Sequence, residues 1–275
     1  MLLFLPLLLQ AQAIEAPAPL KPVGKWNVDF AGATCAFSRD FGDANNRLTL
    51  EISRSPVRKG TTLVLTQAAT SGGKRAKGNL TMTLLPNNED AIGRFTGTSS
   101  DDKVSQAWSW SFSDLPLDKL AEAAEIRLAT NKQPPVTLSV PTIKSAVSLL
   151  ATCRSNLQNE WRVDPAALDA IKTDSLLAIS PSDAFEPQYF LPAAEKVAPD
   201  RKSTVLLTIG VNGNASECRM IGTSGVPAYD TRVCQVAMAR LRFTAAVGYD
   251  GKPVVSYMTF GFAWQAPGHL YITSP

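Results

Sequence analysis

Residues 217–246, ECRMIGTSGVPAYDTRVCQVAMARLRFTAA, run from an alternating stretch with one cysteine, through a small-residue turn, into a helical pattern with another. In the alternating part, Cys218 and Met220 fall on one side of an extended strand, with Glu217 and Arg219 on the other. Asp230 stands where a helix cap accepts from backbone N–H groups two or three residues on. Cys234, Met238 and Leu241 then recur at i, i+4 and i+7, with Val233 and Ala237 beside them and Arg232, Gln235 and Arg242 opposite. Arg240 and Arg242 suit the negative C-terminal end of such a helix. Both cysteines therefore face one core, and a bridge between them would staple helix to sheet. A closed loop of about 15 residues is worth roughly 3 kcal/mol in the chain-entropy account. A module below about 80 residues benefits from such a staple.

The flanks extend the pattern. In STVLLTIGV, residues 203–211, Val205, Leu207, Ile209 and Val211 share one face, and Thr204, Thr208 and Gly210 share the other. Asn212-Gly213 is a strong hairpin signal. After the turn GYDGKP, the stretch VVSYMTFGFAW puts Met258, Phe260, Phe262 and Trp264 on one face. Val255, Tyr257, Thr259, Gly261 and Ala263 take the other. The expected order is strand, strand, helix, strand: a three-stranded antiparallel sheet with a helix on one face.

Residues 189–265 resemble the C-terminal domain of TonB-type energy transducers. The resemblance rests on Gly213 at the first turn, Ser224-Gly225 after the second strand, and Tyr229-Asp230 at the helix start. It continues through Phe243-Thr244-Ala245 at the helix exit and Gly251-Lys252-Pro253-Val254 into the final strand. Leu191-Pro192 stands where that family carries Tyr-Pro, and paired cysteines at the positions of Cys218 and Cys234 resemble one branch of it. The resemblance implies a mechanical role. In that family an inner-membrane helix couples to a proton-driven motor, and a Pro-rich spacer crosses the periplasm. The C-terminal domain then grips a short peptide of an outer-membrane transporter by adding it as a strand, with main-chain hydrogen bonds to an open sheet edge. The implied edge is the last strand, with Val255, Tyr257, Thr259, Gly261 and Ala263 facing outward and a partner strand lying close over the small ones. This chain departs from the pattern: a folded region stands in place of the Pro-rich spacer.

That region, residues 25–163, alternates short apolar runs with turn residues. KWNVDFAG, TCAFSRDFG, RLTLEIS, GTTLVLTQ, GNLTMTLLP, IGRFTGTS and QAWSWSFS read as strands, separated by Gly42-Asp43, Gly72-Gly73 and Pro86-Asn87-Asn88. An antiparallel sheet or sandwich follows. In LDKLAEAAEIRLA, Leu117, Leu120 and Ala124 have helical spacing, while Ile126 and Leu128 start a strand. Ile143, Val147, Leu150 and Leu157 form a helical stripe with Cys153 near it. Trp108, Trp110 and Trp161 read as core, with a ligand-stacking platform as the alternative. Residues 164–188, rich in Pro and Ser, read as a linker with one short helix, and residues 266–275 as a tail. The fold class is α+β.

The first residues, MLLFLPLLLQAQA, hold an apolar run and a small-x-small site, so a signal peptide cut after Ala13 is expected. No Lys or Arg precedes the run, which a start codon placed too late explains. The run falls short of the roughly 20 residues that span a bilayer. A periplasmic location follows; an inner-membrane anchor facing the periplasm is the alternative. In that compartment Cys35, Cys153, Cys218 and Cys234 read as disulfides, with three possible pairings. We expect Cys35 with Cys153, tying the long helix to an early strand, and Cys218 with Cys234.

The composition narrows function. A net charge of +3 with no basic stripe argues against nucleic acid. Without a Cys-x-x-Cys pair, and with His269 the single histidine, neither a metal nor a cofactor site is expected. No catalytic motif is recognisable: Gly222-Thr223-Ser224-Gly225 is not a nucleophile elbow. Ser38-Arg39-Asp40 and Asp101-Asp102 read as ordinary turn or loop charges. The chain reads as a non-enzymatic periplasmic binding protein. Its expected partner is an outer-membrane transporter peptide, in TonB-dependent transport, or another periplasmic protein. A homodimer is possible through the open edge. The alternatives are a true energy transducer and an envelope assembly protein without a transport role.

Overall fold

Period-two alternation dominates the first half of the computed structural model, which describes residues 17–30, 33–68, 76–99, 105–113, 115–130, 134–180, 184–198, 201–265 and 269–273. The expected strands form: β1 (Pro22–Asp29), β2 (Cys35–Phe41), β3 (Leu48–Arg54), β4 (Thr61–Ala68), β5 (Ala76–Leu85), β6 (Glu89–Ser99) and β7 (Ser105–Phe112). After the short helix α1 (Leu117–Glu122) come β8 (Glu125–Thr130) and β9 (Val136–Ser139). They pair antiparallel in the order β1-β2-β3-β4-β7-β6-β5-β8-β9. Every second residue points to one core: Leu50 and Ile52, Leu63 and Leu65, Leu80 and Met82, Trp108, Trp110 and Phe112, Ile126 and Leu128 are all buried there.

The sheet closes rather than stacking as a sandwich. Leu20, just ahead of β1, bridges Leu138 of β9 in parallel. Its N–H donates to the Thr137 carbonyl at 2.8 Å, and its carbonyl accepts from the Ser139 N–H at 3.0 Å. The Trp26 indole N–H and the Arg39 guanidinium both donate to the Pro141 carbonyl across the same seam. Closure removes the open edges. Helix α2 (Ile143–Glu160) packs against β1, β2 and β3, burying Ile143, Ala146, Val147, Leu150 and Cys153. The Cys35–Cys153 disulfide fastens it to β2.

In the second half, β12 (Lys202–Ile209) is central, with β13 (Ala215–Gly222) on one side and β17 (Ser256–Gln265) on the other. The hairpin between β12 and β13 needs glycine at position 213. Its φ is +76°, and a Cβ there would lie 2.1 Å from the Phe243 carbonyl oxygen. Helix α4 (Pro227–Arg240) packs on β13 and β12 and is joined to β13 by the Cys218–Cys234 disulfide. Pro227 opens that helix and Val226 caps it, so Asp230 is not its cap. Asp230 lies one turn inside.

Two further expectations change. Of the expected linker 164–188, residues 164–177 are woven into the C-terminal half rather than linking freely. Helix α3 (Pro165–Ala170) leads to β10 (Ile171–Thr173) and β11 (Leu176–Leu177). These pair with β15 (Ala246–Gly248) and β14 (Phe243–Thr244), and β16 (Pro253–Val254) completes the β10–β15 sheet. The expected tail holds β18 (His269–Thr273), paired with β17.

The four-stranded sheet is buried on both faces. Toward α4 lie Val205, Leu207, Ile209, Met258, Phe260, Phe262 and Trp264. On the other face Leu206 joins Trp161, Val163, Leu168, Ile171 and the barrel's Val57, with Tyr257 packed alongside. Leu206 interrupts the small and polar face of its strand, and the barrel's exit segment covers it. All three tryptophans expected in cores are buried. Ser38-Arg39-Asp40 lies inside β2 rather than in a turn, with Arg39 stacked over Trp26 and donating to the Gly24 carbonyl at 2.6 Å. Gly72-Gly73, Asp101-Asp102 and the first 16 residues, including the expected signal peptide, lie outside the described residues. No helix among the described residues is long and apolar enough to cross a membrane.

Candidate strand-binding edge

The outer edge of β17 is the candidate site. β12 pairs with β17 in continuous antiparallel register from Lys202–Ala263 to Ile209–Ser256. That pairing holds one side of β17 along its length. On the other side β18 covers only Gly261–Gln265, with Gly261 opposite Thr273 and Gln265 opposite His269. No described strand pairs with the outer side of residues 256–260.

The five residues expected to line the edge have separate environments. Gly261 and Ala263 are paired with Thr273 and Tyr271 of β18. Tyr257 is half-buried, and its hydroxyl accepts from the Asp164 N–H at 3.4 Å. Thr259 is buried, and Val255 is the exposed one. Their side chains therefore do not form an open lining; what the edge offers a partner is backbone.

A hydrogen-bonded turn braces the module behind this edge. The Asp230 carboxylate accepts from the Ser203 and Thr223 hydroxyls, and from the Ser224 N–H at 3.1 Å. Burial alone would raise its pKa, but these donors together hold it below the ordinary value. The network ties the first residues of β12 to the turn before α4. Beside it, burial pushes the Tyr229 phenol well above its usual range, with the Asp230 charge adding to the effect. On the opposite edge the Glu217 carboxyl is held low by its hydrogen bond from Arg219, and Arg219 also donates to the Trp161 carbonyl.

All four cysteines form disulfides, Cys35–Cys153 and Cys218–Cys234. Such bonds persist in oxidising, extracytoplasmic compartments. Among the described residues, no group of three or more His, Cys, Asp or Glu side chains stands close enough to hold a metal. The sequence reading missed β18, whose signal was the alternation of HLYIT after Pro267-Gly268. It also missed a pair of half-buried arginines, Arg54 and Arg154, which no local pattern announces. No family model, no curated protein and no solved structure matches this chain.

Proposed function

We propose that this is an exported periplasmic protein that binds a partner peptide by strand addition along β17. The carrying observation is β18: five residues of the chain's own C-terminus already lie antiparallel on that edge. An edge that accepts its own tail has the geometry to accept a foreign strand. The strand, strand, helix, strand order of the module supports a TonB-like reading. The partner under that reading is the periplasm-facing peptide of an outer-membrane transporter. The barrel then serves as the rigid base on which the module is mounted, through the core around Trp161 and Leu206.

A second reading is favoured by that same core. Burial of both sheet faces fits a module retained for assembly, with β18 as its permanent edge strand. An NMR titration separates the two. Transporter peptides are added to the full chain and to a chain ending at Gln265. Under the binding reading, shifts concentrate on 255–265 in both, with tighter binding in the shortened chain. Absence of shifts in either chain, with both folded, gives the assembly reading.

A further inference from the structure

Three cationic side chains and one carboxylate surround a recess of about 340 Å³ at the end of the barrel, lined by Arg54, Lys59, Ser113, Leu115, Arg154 and Asp169. That volume is within the roughly 300–1,000 Å³ range of small-molecule sites. The two arginines are brought together by the long-range disulfide. Arg54 is the cross-strand partner of Cys35 in the β2–β3 ladder, and Arg154 follows Cys153 on α2. The Cα atoms of the bridged cysteines are 6.0 Å apart, so the bridge holds the two backbone segments that carry the arginines close together.

This arrangement is electrostatically costly as it stands. Both arginines are half-buried, and the Nε of each is buried without a hydrogen-bond acceptor. Burial and the charge of Arg154 disfavour the protonated form of Arg54, and burial does the same to Arg154. Among the described residues the Arg154 side chain makes no hydrogen bond, while the Arg54 side chain gives one, to the Lys59 carbonyl at 2.8 Å. Asp169 eases Arg154 only from a distance, without an ion pair within 4.0 Å. The Lys59 ammonium is committed elsewhere, donating to the Asp169 and Ile171 carbonyls and lying over the Tyr249 ring. Two like charges with unspent donors are held together, and they converge on a cavity of molecular size.

We propose that the recess between Arg54 and Arg154 is a binding site for a compact oxyanion of the phosphate class, free or as a small monoester. Guanidinium donors match phosphate oxygens in paired, directional bonds, which a halide cannot reproduce. The Ser113 hydroxyl at the rim supplies a further donor. None of the residues that line the recess belongs to β17, so the proposal does not rest on the strand-binding edge.

The test uses the full oxidised chain and inorganic phosphate, with sodium chloride at matched ionic strength as control. Calorimetry is expected to show one saturable site for phosphate and none for chloride. Arg154→Met is expected to weaken phosphate binding by about tenfold or more, the scale of a lost charge-assisted bond. In phosphate-free buffer the same variant should melt at or above the wild-type temperature, because one uncompensated half-buried charge is gone. Absence of saturable phosphate binding by the wild-type chain overturns the proposal. So does binding by folded Arg154→Met and Arg54→Met chains as tight as that of the wild-type chain. A lower melting temperature of Arg154→Met without phosphate also counts against it, because it would give Arg154 a structural role.

Discussion

The barrel and the C-terminal module solve the same problem in opposite ways. The barrel closes its sheet through the Leu20–Leu138 bridge and leaves no long edge to pair with another chain. The module keeps an open sheet and covers part of one edge with β18. Each carries one disulfide, but the barrel's spans 118 residues of sequence and the module's spans 16. Under the proposed reading the difference separates tasks: the closed sheet holds shape and a pocket at its end, and the open one takes up a strand.

The largest expected effect tests the stapling of the two regions. Replacing Cys35 and Cys153 with serine should cost about 4–5 kcal/mol in the chain-entropy account, and replacing Cys218 and Cys234 about 3. Urea denaturation of each double variant reads the order directly. A larger loss from the short bridge would mean that strain or residual structure, rather than loop length, governs the comparison.

Next in size is Asp230→Ala. It leaves the buried Ser203 hydroxyl, the buried Ser224 N–H and the exposed Thr223 hydroxyl without their acceptor. About 2–4 kcal/mol should be lost. The pH dependence has a definite sign. The folded carboxyl titrates below its ordinary value near 3.8, so its contribution is complete above that value and disappears as pH falls through the folded one. Wild-type stability should therefore drop more steeply than that of Asp230→Ala below about pH 4. Parallel acid-unfolding curves for the two proteins would remove Asp230 as the source.

Removing residues 266–275 should cost less, about 1–2 kcal/mol, since Leu270 and Ile272 are only partly buried against the module core. Hydrogen exchange should rise along 261–265 and stay unchanged through the barrel. Loss of protection across β12 and β13 as well would show that β18 is integral to the sheet and not a removable cover.

The sequence carried most of the strands and the Cys218–Cys234 pairing because each depends on local periodicity, whereas Cys35–Cys153 joins residues 118 apart. Trp108 and Trp110 alternate with serines, and Cys234 keeps helical spacing with Met238 and Leu241. Barrel closure was not legible. It rests on Leu20 meeting Leu138, a contact between distant residues with no local signature. The two- and three-residue strands β10 and β11 were hidden for the same reason, since their partners β15 and β14 lie far along the chain. The Asp230 cap failed because Pro227 is the better first helical residue and moves the start ahead by a turn. At the candidate edge, alternation along β17 could not reveal that residues 161–171 pack against that face of the sheet or that β18 pairs beside the strand's end.

The smallest effect concerns the joint between the two regions. Arg58 of the barrel pairs with Asp174 of the wrapped segment at 3.7 Å, with both side chains about a quarter exposed. Such a pair is worth under about 1 kcal/mol. The neighbouring Gln158 amide is buried and donates to the Pro56 carbonyl at 2.7 Å, binding α2 to the same barrel loop. If the joint is held by the apolar core around Trp161, Val57 and Leu206, then Arg58→Ala should leave one cooperative unfolding transition for the whole chain. Calorimetry distinguishes this from a polar joint: two separated transitions in Arg58→Ala would mean that the ion pair carried the coupling. A single transition would assign the coupling to the packed face of the sheet. That face is the feature on which a module gripping a peptide would rely to transmit load to the barrel.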